Sequence, residues 1–353
     1  MVLIFASTRQ LMKKTYADDL KKAYPEAQFF GCSTAGEIYS TLVEDDSLVA
    51  TAVSFEHTKV HGAQVKLSKS VDSYQAGRLL ARSFEKEGLV HIFVLSDGIR
   101  VNGSELVNGL SDDLPNGVAV TGGLAGDGER FQETRVFWNS DPEKNTIAAI
   151  GFYGDRLQVG YGSVGGWAPF GPERMITASK GNVLYELDGY SALELYKKYL
   201  GEHARGLPAT GLLFPLSLRT KENTTGLVRT ILAINEDEQS MTFAGDMPEG
   251  TYARLMKANV DRLIDGAVGA AKLGYEAIGS HYPELAVLVS CVGRRMVLKQ
   301  RTEEEVEGVR DILGNQTVIA GFYSYGEISP FVRRTRCELH NQTMTVTVYA
   351  EKR

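Results

Sequence analysis

GCSTAGEI (Gly31–Ile38) and GFYSYGEI (Gly321–Ile328) share one frame near opposite ends of the chain: a glycine, four residues, then Gly-Glu-Ile. Each closes a short apolar run, AQFF before the first and TVIA before the second. Upstream of the first lie a β-rich run, VLIFAS from Val2, and a polar helix-compatible stretch, KKTYADDLKKAY; SLVATAVSF follows it. Upstream of the second lie LAVLVSCVG and then TEEEVEGVRDIL, whose period and first-turn acids predict a helix. MTVTVYA follows with period-two alternation. A weaker third copy lies between them: HIFVLSDG, SELVNGLSDDL, VAVTGGLAGD and TIAAIGFYG, with Ala125-Gly126-Asp127 aligned on Ala35-Gly36-Glu37. Three passes of strand, helix, strand, Gly-acid turn and strand predict an α/β fold. Its repeated strand-helix-strand units form mixed sheets in two packed domains, residues 1–165 and 166–353.

A strand-helix-strand unit usually gives a parallel pair, so both strands of each pair end on one sheet edge. Ligands of open α/β sheets bind outside that carboxyl edge. The repeated turns therefore lie where a site is expected. The plainer alternative is that each glycine serves only a bend and each acid only caps a neighbour.

The middle of the chain reads differently. LQVGYGSVGGWAPFGPERMITASKGNVLYELDGYSALELYKKYLG predicts two strands joined by a Gly/Pro turn, then a helix after the turn at Asp188-Gly189. GLLFPLSL and GLVRTILAINEDEQSMTFAG read as further strands with an acidic hairpin. TYARLMKANVDRLIDGAVGAAKLGY reads as one long helix, with Leu255, Met256, Val260, Leu263, Ile264 and Ala267 at core spacing. GYGSVG from Gly160 matches GxGxxG in letters only. A dinucleotide loop must open a helix, and the prolines of GWAPFGP oppose one.

The 353 residues are 43% hydrophobic and 23% charged, an ordinary globular balance, and 38 basic against 44 acidic side chains give a net charge of −6. That sign argues against a nucleic-acid partner. Cys32, Cys291 and Cys337 are too few and too scattered for a disulfide framework or a zinc ribbon. Cys337 and His340 stand three apart in a strand-like segment, on opposite faces, so they do not share a metal. VLIFA is too short for a signal-peptide core, and no apolar run reaches membrane-spanning length. The expectation is a cytoplasmic protein with reduced thiols and no membrane insertion.

FFGCSTAGEI, VTGGLAGDG, GWAPFGP followed by YELDGYSALELY, SCVGRR, and GFYSYGEISP with LHNQT occur in this order along nearly the whole chain. As a set they resemble FIST-domain proteins, the "F-box and intracellular signal transduction" sensory family, with both its N- and C-terminal segments. The chain starts almost directly at VLIFAS, where members of that family usually carry further residues. The resemblance implies a ligand-sensing module of bacterial signal transduction that binds a small molecule such as an amino acid. It also implies output through a signalling partner, such as a histidine kinase or a cyclic-di-GMP enzyme. Some members are haem proteins that sense nitric oxide.

Read from the residues, the carboxyl edge of the last unit supplies Arg294 and Arg295 after one strand and Tyr323, Ser324, Tyr325 and Glu327 after the next. Arginine forks a carboxylate, glutamate answers an ammonium, turn amides take an anion's oxygens, and tyrosine offers a wall with a hydroxyl. An α-amino acid uses this set. Gly122, Gly123 and Asp127 of the middle turn, Trp167 of the bend, Cys291, and His340 with Asn341 complete the candidate rim. A structural Arg-Glu bridge is the competing account of the charged pair. Two further readings stand beside the amino-acid sensor, which itself needs no cofactor. A haem sensor would take an axial ligand from His340, His203 or Cys291. An enzyme would use Cys291 as a nucleophile activated by Arg294 and Arg295.

Overall fold

The computed structural model describes residues 1–219, 226–279, 281–330 and 336–352. The first unit runs β1 (Val2–Ala6), α1 (Thr8–Leu11), α2 (Lys14–Ala23), β2 (Phe29–Ser33), β3 (Glu37–Tyr39), β4 (Leu42–Glu44) and β5 (Leu48–Ala52). The second runs β6 (Lys59–Lys66), α3 (Ser73–Arg82), β7 (Leu89–Ser96), α4 (Gly103–Asp113), β8 (Ala119–Leu124), β9 (Val136–Trp138) and β10 (Thr146–Tyr153). The third opens with β11 (Leu157–Val164) and is then interrupted by an insert. The insert comprises β12 (Ala168–Lys180), β13 (Val183–Leu187), β14 (Tyr190–Ser191), α5 (Ala192–Leu200), β15 (Leu216–Arg219), β16 (Leu227–Arg229), β17 (Ile231–Asn235), β18 (Ser240–Phe243) and β19 (Tyr252–Lys257). The unit resumes with α6 (Val260–Ala277), β20 (Leu285–Cys291), α7 (Val292–Leu298), α8 (Thr302–Leu313), β21 (Val318–Ser324), β22 (Gly326–Pro330), β23 (Cys337–His340) and β24 (Met344–Glu351).

The repeat is real in the topology. In each unit a helical connection joins a parallel pair, a first strand and a second: β1 with β2, β7 with β8, β20 with β21. In each, the last strand returns antiparallel to the first: β5, β10 and β24. The strand after each Gly-acid turn leaves its own unit and pairs with the second strand of another. Thus β3 lies on β21, β22 lies on β8, and β9 lies on β2. The orders β5-β1-β2-β9, β10-β7-β8-β22 and β24-β20-β21-β3 are one arrangement written three times, with the exchanged strands closing a ring.

The turns close the same ring through the backbone. Ala35 N donates to Tyr323 O at 2.8 Å, Tyr325 N to Leu124 O at 3.1 Å, and Gly126 N to Ser33 O at 3.0 Å. The three meet at one centre, which requires glycine where a neighbour crosses. Gly36 has φ +133, and a Cβ there would overlap the Arg295 guanidinium. The same frame therefore occurs at both ends of the chain because both ends contribute to one junction.

The fold is mixed α/β in packed domains, as expected from the sequence. Two buried clusters fill the α/β body, and a third, around Leu184, Tyr196 and Phe243, belongs to the insert. The insert's strands form one antiparallel sheet, β16-β15-β19-β12-β13-β18-β17. The acidic hairpin and the helix after Asp188-Gly189 stand where the sequence places them, with Asp188 and Gly189 both at positive φ.

The long helix is a correction. YARLMK is strand β19, paired with β12 and β15, and the helix begins only at Val260, where Asn259 Oδ1 accepts from Arg262 N at 3.0 Å. Ala253 and Leu255 alternate into the insert's core, a period-two pattern hidden inside a longer helical one. GWAPFGP also differs from the expected turn. From Ala168 on it lies within β12, whose pairing shifts between Pro169 and Glu173. GYGSVG is strand β11: a Cβ at Gly160 or Gly162 would overlap the carbonyls of Gly274 or Ala270, so its glycines let α6 pack directly on the strand. No helix among the described residues is long and apolar enough to cross a membrane.

Candidate functional site

The sequence-predicted residues divide by depth. Glu327 is fully buried at the first position after its glycine. Its Oε1 accepts from Ser324 Oγ at 2.7 Å, and its Oε2 accepts from Thr343 N at 3.1 Å and Thr343 Oγ1 at 2.9 Å. Burial, partly offset by these donors, pushes its pKa up to about 8. Arg294 is equally buried. Its Nε and Nη2 reach Glu305 Oε2 at 3.1 and 2.7 Å, and its remaining donors reach the carbonyls of Gly165 and Leu263. Glu305 Oε1 in turn accepts from Tyr323 OH at 2.7 Å and Ser290 Oγ at 2.9 Å. The clamp expected from Arg294 and Glu327 is thus held by the protein's own groups. Arg294 does bridge to a glutamate, but the partner is Glu305 of α8, which the sequence presents only as one of three acids in a first turn.

Arg295 stands higher. It makes a two-pronged pair with Asp45 at 2.6 and 2.8 Å, donates to Ala35 O, and lies 5.4 Å from the Tyr323 ring centre. Gly122 and Gly123 sit inside β8, with Gly123 opposite Glu327. Trp167 is buried with Met256, Leu263 and Leu298 and donates to Gln342 O at 2.9 Å. Asn341 is buried beside it in sequence, and its side-chain amide has no hydrogen-bond partner among the described residues.

Cys291 ends β20, and burial drives its thiol well up, away from thiolate. His340 Nε2 lies 2.9 Å from Ser329 O, and burial lowers its pKa to about 4. His203 is exposed against the Phe214 ring. Among the described residues, no cluster of metal-ligating side chains forms.

Asp127 and Tyr325 behave otherwise. The Tyr325 hydroxyl donates to Asp127 Oδ1 and accepts from the amides of Asp127 and Phe131 at 3.1 and 3.2 Å. Asp127 Oδ2 accepts from the amides of Gln132 and Glu133 at 3.0 and 2.9 Å. The Phe131 ring stacks on Tyr325 at 4.2 Å. This knot shapes the loop after β8, and the loop forms one wall of a cleft.

The cleft, about 760 Å³, separates the carboxyl edge of the α/β body from the insert. The body contributes Ile99, Arg100, Val101, Leu124, Phe131 and Tyr325, among others. The insert contributes Leu207, Leu212, Ile231, Leu232 and Phe243. A second cavity of about 720 Å³, over Ala35, Asp45 and Arg295, adjoins it through Glu129 and Met296, which line both. Side-chain hydrogen bonds tie the insert to the body. Asn102 Nδ2 donates to Asp246 Oδ1 at 3.2 Å, and the buried Arg229 of the insert donates to Leu339 O at 2.9 Å.

Of the predicted site residues only Tyr325 lines the larger cavity and only Arg295 the smaller. Neither Arg100 nor Glu129 has an ion-pair or side-chain hydrogen-bond partner among the described residues. Both went unremarked in the sequence, although Arg100 follows the SDG end of a strand on the expected edge. No histidine or cysteine is among the described residues lining either cavity, so the axial ligands expected for a haem, His340, His203 and Cys291, do not line them.

Residues 1–190 match the model of the FIST N domain and residues 192–330 that of the FIST C domain. The chain belongs to the FIST family. FIST domains are sensor domains of signal transduction. An uncharacterized protein of Methanocaldococcus jannaschii is 24% identical over 93% of this FIST chain and 66% of its own length. An uncharacterized protein of Mycobacterium tuberculosis is 26% identical over 70% of this chain and 64% of its own. The chain thus spans about two thirds of the length of these relatives. A solved cyanuric acid hydrolase from A. caulinodans covers 84% of the chain at 11% identity with a TM-score of 0.20, too low a likeness to argue from.

Proposed function

We propose that this FIST chain senses a small molecule in the cleft between the α/β body and the insert, and that the ligand is an amino acid or similar zwitterion with an apolar side chain. Arg100 and Glu129, opposite charges without side-chain partners among the described residues, beside the apolar wall of Leu207, Leu212, Ile231 and Phe243, carry this reading. A guanidinium takes the ligand carboxylate, a carboxylate takes its ammonium, and the apolar walls take the side chain. The amino-acid expectation is kept but moved from Arg294 and Glu327, whose polar atoms are engaged internally, to groups that solvent reaches. Because the walls come from two packed domains, a ligand touching both favours one relative position of them. A signalling partner, such as a histidine kinase or a cyclic-di-GMP enzyme, would read that position.

Thermal melts with a panel of amino acids test the proposal. A ligand at about a hundred times its Kd stabilises by about 2.7 kcal/mol, and that shift should shrink in Arg100→Gln and Glu129→Gln while their unliganded melts stay at the wild-type value. A panel in which no amino acid moves the wild type, or a shift that both variants retain, overturns it. An absorption spectrum of the purified protein belongs with this test, since a Soret band lost on changing His340 would put haem in place of the amino acid.

A further inference from the structure

We propose that Lys299 binds a carboxylate in the second cavity, the one that opens off the cleft over Ala35, Asp45 and Arg295.

The backbone singles out this lysine. Lys299 caps the C-terminus of α7 at φ +52 and ψ −114, with its N–H on Arg295 O, and the chain runs on into a 3-10 turn over Lys299–Arg301. Gly201 caps α5 in the same way, at φ +56 and ψ −125 with its N–H on Lys197 O, ahead of a 3-10 turn over Gly201–Gly206. A Cβ at Gly201 would meet nothing within 4 Å, so that glycine answers the conformation and not a lack of room. A side chain crowds the backbone at such angles, and glycine is the relaxed choice. At one of these two like turns the chain takes that choice, and at the other it carries lysine under strain.

The bonds that Lys299 makes within the fold do not require a lysine. Its carbonyl accepts from Thr302 Oγ1 and its N–H makes the cap bond, and glycine would do both. The side chain is all that lysine adds. That side chain has no hydrogen-bond or ion-pair partner among the described residues, and the residue lines a cavity of about 720 Å³. Strained residues cluster where a site makes use of them.

The charges of the cavity say what the lysine takes. Arg295 and Asp45 answer each other through their two-pronged contact. Glu303 Oε1 accepts from Val43 N at 3.3 Å, and Glu129 belongs to the cleft wall as well. Among the described lining residues Lys299 is left as the cation without an ionic partner, and Gln300 adds amide donors to the same wall. A dianion such as phosphate would meet the carboxylates of Glu129 and Glu303 with one ammonium to oppose them. A single carboxylate matches the single charge. It comes either from a separate small acid or from the far end of the cleft's ligand, reaching through the junction at Glu129 and Met296. The second source rests on the amino-acid reading above, and the first does not.

Thermal melts at constant ionic strength, with succinate, glutamate and glutamine as probes, test this. Without a probe, Lys299→Gly should melt higher than wild type by about 2 °C or more, because the strain is gone, while Lys299→Met, which keeps the strain and loses the charge, should melt with the wild type. Both variants should weaken the carboxylate response by about tenfold or more in midpoint concentration. A succinate shift that Arg100→Gln keeps and both Lys299 variants lose assigns the carboxylate to a separate acid. A glutamate shift larger than that of glutamine, with the difference lost in both Lys299 variants, assigns it to the cleft's own ligand. A wild type that answers succinate but no amino acid would sink the amino-acid reading and leave this one standing. Lys299→Gly melting at or below the wild type without a probe would make the lysine structural and overturn the proposal. So would a carboxylate response that survives both Lys299 variants, or a wild type that ignores succinate and treats glutamate as it treats glutamine.

Discussion

In the first unit, Glu37 accepts from the hydroxyl of Thr34, three residues before it, and from Ser47 N and Oγ at the start of the returning strand. In the third unit, Glu327 accepts from Ser324, again three residues before it, and from Thr343 N and Oγ1 at the same place in the fold. The second unit departs. Leu124 stands where the hydroxyl would be, and the returning strand's Asn145 N goes instead to Asp97 Oδ2 at 3.0 Å. With Asp97 in that role, Asp127 is released to hold Tyr325 and the loop that walls the cleft. The repeated motif is thus a lock in two copies and part of the site wall in the third. Divergence from the repeat, rather than fidelity to it, marks the candidate site.

The locked side should break hardest. Glu305→Ala strips the anion from the fully buried Arg294 and leaves Tyr323 and Ser290 without their acceptor. Loss of one partner of a buried pair costs about 3–5 kcal/mol. Urea denaturation should show that loss, with no comparable loss in Asp127→Asn. Equal losses in the two variants would erase the distinction between locked turns and open turn.

The two locks themselves should respond alike to pH. Burial raises the carboxyl pKa of both Glu37 and Glu327, the latter to about 8. Above about pH 4.3 the unfolded chain has lost these protons while the folded chain still holds them. The folded state then binds more protons, so stability falls as pH rises, by up to about 1.4 kcal/mol per pH unit for each such group, until the folded pKa is passed. Glu327→Gln should flatten the part of this slope that reaches pH 8. Its amide can face Ser324 Oγ while its oxygen keeps both Thr343 donors, so the fold should tolerate it. Denaturation midpoints between about pH 5 and pH 8.5 decide the matter, and an unchanged slope in Glu327→Gln would assign the titration elsewhere.

Local patterns in the sequence carried the repeat far. The parallel pairs, the helix at Thr302–Leu313 and the shared carboxyl edge all follow from periodicity and order. The exchange of β3, β22 and β9 between units was not legible, because which neighbour a short strand joins depends on contacts about a hundred or more residues away. Arg294 illustrates the same limit: its partner Glu305 lies in another element, and nothing in TEEE tells which acid turns inward. The cleft escaped for a third reason. Half of its wall is the insert, whose strands carry apolar residues that read as plain core.

A smaller effect is expected on the open side. Tyr325→Phe leaves Asp127 its two loop amides but removes the acceptor of the Asp127 and Phe131 amides. The stacked rings remain, so the cost should be about 1–2 kcal/mol. Amide exchange should quicken across residues 127–133 and not at Glu37 or Glu327. Exchange that quickens equally at all three turns would mean that the ring of backbone bonds, not the tyrosine, holds the loop.

The smallest effect belongs to Arg295, which lies over Gly36 in the first turn and lines the cavity that continues the cleft. Its neighbour Arg294 is fully buried, whereas Arg295 is 21% exposed and its partner Asp45 is 73% exposed. Water already solvates most of that carboxylate, so the pair is worth at most about 1 kcal/mol despite its two-pronged geometry. Asp45→Asn keeps the shape and removes only the charge. Arg295 would still donate to Ala35 O and lie over the Tyr323 ring, so the turn should hold. The difference in melting temperature between Asp45→Asn and wild type should be small at low salt and vanish near about 0.5 M NaCl, where exposed charges are screened within a few ångströms. A loss that is large and indifferent to salt would place Arg295 among the locks with Arg294, and the boundary between locked and open turns would then run through the second cavity rather than beside it.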